Sequence, residues 1–219
     1  MSWNEDRDYY YEQEAAKDAF IDEISIQAID DFTYERLQSY YMKHPDVIRP
    51  AIDAYRTGKA LNELNQHSAS FVFFMSAIEI FLKSTVIKPI VYGLVHHDGL
   101  AEIVADEAIN QTGFNRYEKL LSMLVSEFVK TDIKLICRQN SSAKLMKECQ
   151  DLQSKRNKII HQGENCAALD TEIAHSVAEA VCSLIVIPML DALNLTVKDN
   201  MVCQKYTWNS RDDCSFSLD

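Results

Sequence analysis

Apolar residues in this chain recur at three- and four-residue spacing along most of its length, the period of an amphipathic helix rather than of a strand. Phe20, Ile21, Ile24, Ile26, Ile29, Phe32 and Leu37 follow that spacing between about Tyr9 and Tyr41 and predict one helix or two. His44-Pro45 and Arg49-Pro50 punctuate their end, because a residue before proline disfavours the helical region. Ala51 to Gln66 reads as a helix with Ala51, Ala54, Tyr55, Leu61 and Leu64 broadly on one side. Ser68 to Tyr92 predicts a longer helix, apolar almost all round and so destined for the centre of a bundle, with Ser68 and Ser70 available as caps and Pro89 as a kink. After a turn at His96-His97-Asp98-Gly99, short helices are expected over 100–109 and 117–129. Ser141-Ser142 precede a helix from about Ala143 to Ile160 that stops near Gly163, and Thr171 to Leu193 is the last long helix. The tail from Thr196 onward is mixed, with Thr207-Trp208 either strand or coil.

The expected fold is an all-α helical bundle with short connections, divided into an acidic helical arm (1–48), the bundle itself (49–195) and a C-terminal tail (196–219). Composition agrees with this. Five Gly and four Pro in 219 residues are too few to punctuate a many-stranded β fold. The most apolar run, Phe71 to Leu82, contains Glu79 and is followed by Lys83, Lys88 and Pro89, which suits a buried core helix better than a membrane span. No secretory signal is visible, and the six cysteines lack a C-x-x-C spacing, so reduced thiols in a cytoplasmic protein without a membrane partner are expected. No structural metal and no cofactor are expected either. His96-His97 is a possible exception, but adjacent histidines rarely point the same way, so a plain turn competes with a metal site there.

Charge changes the picture more than composition does. The net charge of −11 argues against a nucleic-acid ligand, yet it is unevenly spread. Four basic residues face eleven acidic ones from Met1 to His44, whereas eight face three from Lys130 to His161. One reading is that both stretches are solvated helix faces. The other is that the basic stretch, with Lys144, Lys147, Lys155 and Lys158, meets a phosphate backbone while the acidic arm covers it or faces a partner. Tyr9-Tyr10-Tyr11 and Tyr40-Tyr41 leave a similar choice between stacking on bases and packing on the bundle or a second subunit.

The basic stretch ends in Arg156-Asn157-Lys158-Ile159-Ile160-His161, followed by Gly163. Asn157 and His161 are four apart and share a helix face, so the amide can hold the imidazole in one tautomer. Arg156 is five residues before His161, about 140° away at 100° per residue, and the two meet best if the helix loosens or if one comes from a second subunit. Imidazole can move protons near neutral pH, and a guanidinium can make two parallel hydrogen bonds to phosphate oxygens. Together these suit RNA cleavage, in which the 2′-hydroxyl is the nucleophile. The competing reading is structural: a histidine in a last helical turn on free carbonyls, and an Arg-Asn surface pair. Glu79 and Lys83 pose a parallel choice, between a simple i,i+4 ion pair and a pair that orients Arg156 across the core. His175, spaced for local hydrogen bonds with Glu172 and Glu179, reads as structural.

Arginine, four residues and histidine in an all-helical setting resembles the R-x4-H motif of the HEPN superfamily. The lead-in Asp151-Leu152-Gln153-Ser154-Lys155 and the long apolar helix that follows match that family's arrangement, and Phe73 to Lys83 looks like its earlier core helix. The resemblance spans roughly Ala51 to Asn194. It implies a helical bundle and a metal-independent endoribonuclease that leaves 2′,3′-cyclic phosphate and 5′-hydroxyl ends. It also implies a homodimer with a composite cleft, a toxin or phage-defence role, and an antitoxin or sensor partner. Arg156 and His161 fall on the motif's catalytic positions. The tyrosine that some relatives carry two residues after the histidine is Gly163 here, which sets aside the antitoxin mechanism that modifies it. A non-catalytic adaptor of the same fold is the alternative.

Overall fold

The computed structural model describes residues 17, 20, 21, 23, 24, 32–95, 99–104, 114–205 and 218. The chain divides into two compact units, Met1–Arg36 and Leu37–Asp219. In the first, the described residues are helical, and Phe20, Ile21, Ile24 and Phe32 are exposed. The other residues of the expected arm up to 31, the turn at His96-His97-Asp98, residues 105–113 and Thr207-Trp208 lie outside the described residues.

The second unit is mostly helical. Helical residues 37–43 and a 3-10 turn, Pro45–Ile48, lead into α1 (Arg49–Glu63). The next helix, α2, runs from His67–Ile80 through a π-helical segment, Phe81–Ile87, to a last α stretch, Lys88–Leu94. After α3 (Phe114–Val129) and a 3-10 turn at Ile133–Leu135 comes α4 (Leu145–Gln162). The fifth helix, α5, repeats the build of α2: Ala168–Val181, a π segment Cys182–Val186, and Ile187–Ala192. Two strands that the sequence pattern did not announce, β1 (Leu195–Lys198) and β2 (Met201–Gln204), close the described chain as an antiparallel hairpin. Its two-residue loop, Asp199-Asn200, has φ of 52° and 61°, as a type I′ turn requires.

The core forms where α1, α2 and α5 meet. Gly58 makes the α1–α2 approach possible, since a Cβ there would stand 2.8 Å from the Phe74 ring. Its carbonyl accepts the buried Ser70 hydroxyl at 2.7 Å. Ser68 and Ser70 therefore tie elements together rather than cap α2, whose N-cap is Gln66. Each π segment precedes a proline, Pro89 or Pro188, at the second position of the closing α stretch. Proline lacks the N–H that would bond the carbonyl four residues earlier. For Pro89 that carbonyl belongs to Thr85, and the fully buried Tyr41 hydroxyl donates to it at 2.6 Å. Burial pushes the Tyr41 hydroxyl pKa up, so it stays a donor.

The helices His67–Gly93 and Ala168–Ala192 are long and apolar enough to cross a membrane by length and composition, and most of each apolar window is buried inside the bundle. Cys137, Cys149, Cys166 and Cys182 are free thiols, and burial pushes that of Cys182 up to about 12. A polar network seats the start of α4: Arg138 Nε donates to both Glu148 oxygens at 3.0 and 3.1 Å, and Arg138 Nη1 reaches Ser176 on α5.

Candidate functional site

The motif residues occupy the last two turns of α4. Leu145, Cys149, Leu152, Arg156 and Ile159 succeed one another at spacings of four and three, so Arg156 continues the stripe that faces the core. The stripe loses its cover along the way. Leu145, Cys149 and Leu152 are buried, whereas no residue from Gln153 to Gln162 is, and Ile160 is 47% exposed. Arg156 is half-buried. Its Nε is buried with no hydrogen-bond partner among the described residues, and its Nη1 donates to Asn157 Oδ1 at 3.2 Å. A guanidinium nitrogen taken out of water without an acceptor is a costly arrangement, which any acceptor brought to it would relieve.

The helix stays α through Gln162, and Gly163 ends it in the left-handed region (φ 69°), its N–H on the Lys158 carbonyl. A regular helix separates Arg156 from His161 by about 140°, so one chain does not bring the two onto a common face. Asn157 is turned to Arg156, and among the described residues His161 makes no hydrogen bond and is exposed. The expected Asn157–His161 bond is thus replaced by an Asn157–Arg156 bond, because the guanidinium stem lies one residue away and needs an acceptor.

Much of the basic stretch is spent locally. Lys147 pairs with Asp151 at 2.8 Å, Lys155 Nζ meets Asp170 Oδ2 at 2.5 Å, and Lys144 Nζ donates to the Leu135 carbonyl at 3.3 Å. The hydrogen bond to Asp170 raises the Lys155 pKa, and the same bond lowers that of Asp170. Lys158 is exposed without such a partner among the described residues. The C-terminal end of a helix carries partial negative charge, so a phosphate there depends on side-chain cations, and Arg156 and Lys158 are the ones at hand. Among the described ion pairs there is none between Glu79 and Lys83. A π segment begins at Phe81 and shifts the register between them, and Glu79 Oε1 accepts instead from Gln153 Nε2 on α4 at 3.3 Å.

A second polar cluster lay hidden in the sequence. Tyr55 on α1, fully buried, has its hydroxyl 2.6 Å from His175 Nε2 and donates to Glu179 Oε1 at 2.8 Å, both on α5. With its single proton given to Glu179, the hydroxyl accepts from His175 Nε2–H. The imidazole stacks on the Tyr55 ring (centroids 5.3 Å apart) and tilts against Phe74 (5.0 Å). The spacing of His175 and Glu179 was visible, but Tyr55 is 120 residues away from His175 and nothing local links them. No group of three His, Cys, Asp or Glu able to hold a metal occurs among the described residues. No family model, curated protein or solved structure matches this chain.

Proposed function

We propose that this protein is an endoribonuclease of the HEPN type, acting as a homodimer whose motifs face a shared cleft. The observation that carries the reading is the state of Arg156, a core-stripe cation whose buried Nε has no partner among the described residues, at a helix end that also presents a histidine with no hydrogen bond among them. In the reaction, His161 takes the proton of the ribose 2′-hydroxyl as that oxygen attacks the neighbouring phosphorus. Arg156, held by Asn157, stabilises the charge that gathers on the phosphorane oxygens. The bond to the 5′-oxygen breaks, and that oxygen acquires a proton, leaving 2′,3′-cyclic phosphate and 5′-hydroxyl ends. No metal takes part. A single helix holds Arg156 and His161 apart, so each phosphate is served by the arginine of one copy and the histidine of the other. A toxin or defence effector in the cytoplasm, restrained by an antitoxin or sensor, fits such an activity.

RNA incubated with the purified protein in EDTA is expected to yield fragments with those ends, and His161→Ala or Arg156→Ala is expected to abolish them while the circular dichroism stays unchanged. Cleavage that persists in both variants would contradict the reading. The same separation of Arg156 from His161 favours a second reading, a non-catalytic adaptor of similar fold. Growth on expression separates the two, since toxicity relieved by His161→Ala belongs to the nuclease alone.

A further inference from the structure

Apolar packing holds the first half of α4 and not the second, where the motif sits. Beyond Leu152 no residue of α4 is fully buried, so polar ties weigh more in fixing the direction in which Arg156 points. Among the described residues, Gln153 and Lys155 make such ties to neighbouring helices there. Gln153 Nε2 donates to Glu79 on α2 at 3.3 Å, and Lys155 Nζ bonds Asp170 on α5 at 2.5 Å. At 100° per residue, Gln153 and Lys155 lie about 60° and 100° from Arg156 on opposite sides of the helix, so the arginine projects between the two helices that the ties grip.

Asp170 is itself immobilised. Its Oδ2 also accepts the Ala167 N–H at 3.0 Å, closing the first turn of α5. The loop before it is anchored to α2, with Cys166 N–H on Ser68 Oγ at 3.2 Å and the Thr171 hydroxyl on the His67 carbonyl at 3.2 Å. Lys155 thus ends on a carboxylate in the first turn of α5, a turn that Cys166 and Thr171 tie to α2.

We infer that Gln153 and Asp170 are positioning residues for Arg156, and that Lys155 serves the same purpose through Asp170 rather than by touching phosphate. The inference rests on the ribonuclease reading for its activity arm. It also has an arm that does not need cleavage, namely affinity for an uncleavable 2′-O-methyl oligonucleotide.

The sign of two substitutions decides between the roles. If Lys155 touched phosphate, Asp170→Asn would release it and tighten oligonucleotide binding, while Lys155→Ala would weaken binding. If the pair positions Arg156, both substitutions weaken binding, by no more than about twofold. Both then lower kcat by about tenfold with KM within about twofold, as a small misalignment of a reacting group does. The exchanged pair, Lys155→Asp with Asp170→Lys, is expected to recover most of the loss, and Gln153→Leu to reproduce part of it. The Arg156 Nε–H resonance reports the same event without activity: it should shift in Asp170→Asn and return in the exchanged pair. Opposite signs of binding for the two single variants, or an unmoved Arg156 resonance, would overturn the inference whether or not RNA is cut. A wild-type protein that binds the oligonucleotide and never cleaves RNA would instead overturn the ribonuclease reading and leave the positioning test standing. Absence of any oligonucleotide binding, even at low salt, overturns both.

Discussion

Two histidines, each on a long helix of the bundle, have been put to opposite uses. His175 is locked: its Nε2 is on the Tyr55 hydroxyl, its ring stacks on Tyr55 and tilts against Phe74, and Glu179 stands 3.5 Å away. His161 is exposed at the end of α4 and has no hydrogen bond among the described residues. An imidazole whose Nε2 meets a buried hydroxyl is engaged in holding α1 to α5. His161 makes no such bond among the described residues, and the proposed reaction uses the histidine that the packing does not. The same contrast separates the cations. Lys147 and Lys155 are paired, whereas the buried Nε of Arg156 has no acceptor among the described residues.

Stability measurements can break this comparison, and the largest effect is expected at the locked cluster. Tyr55→Ala removes a fully buried ring and the partner of two polar groups, and should cost about 4 kcal/mol in urea unfolding. Tyr55→Phe, which deletes only the hydroxyl, should cost about 1.5 kcal/mol. His161→Ala should stay within about 0.5 kcal/mol of wild type, as substitutions away from packed features do. If His161→Ala proved as destabilising as His175→Ala, the distinction between the two histidines would be lost.

A smaller effect is expected at the boundary of the motif. Gly163 has φ of 69° with nothing within 4 Å of a Cβ built on it, so space is not what selects glycine there. Backbone conformation is, and Gly163→Ala should cost about 1 kcal/mol and increase amide exchange in the last turn of α4. Unchanged exchange would mean that the turn bearing His161 is held by something other than its stop signal.

The smallest effect concerns pH. The Asp170 pKa is lowered in the folded protein, so the carboxylate favours folding above its unfolded pKa, and that contribution fades as pH falls through the ordinary carboxylate range near about 4 and below. Asp170→Asn should flatten this part of the stability profile while costing about 1 kcal/mol at neutral pH. Lys155, raised, adds stability that is present below its unfolded pKa and is lost as pH rises through the folded one. An unaltered acid limb in Asp170→Asn would show that the tie carries no load.

Helix identity was legible along most of the described chain, because the three-to-four-residue recurrence survives in each long helix and Gly163 marks the stop of α4 where expected. What escaped the reading depended on residues far apart in sequence. Thr85 needs Tyr41 to answer the carbonyl freed by Pro89, and Tyr55 needs His175 and Glu179. The π segment in α2 was equally invisible, and with it went the i,i+4 logic that joined Glu79 to Lys83. The hairpin at 195–204 was missed because Asp-Asn is a weaker turn signal than Asn-Gly and its strands are four residues each. At the motif itself, the wide angle between Arg156 and His161 followed from spacing alone. The turn of Asn157 toward the arginine did not, since it depends on the guanidinium having no other acceptor.

The most direct test of the account is the end chemistry of RNA exposed to the protein in EDTA. Fragments ending in 2′,3′-cyclic phosphate and beginning with a 5′-hydroxyl are expected from the wild type and from neither His161→Ala nor Arg156→Ala. An RNA left intact by a folded, dimeric wild-type protein, or cut equally well by both variants, would contradict it.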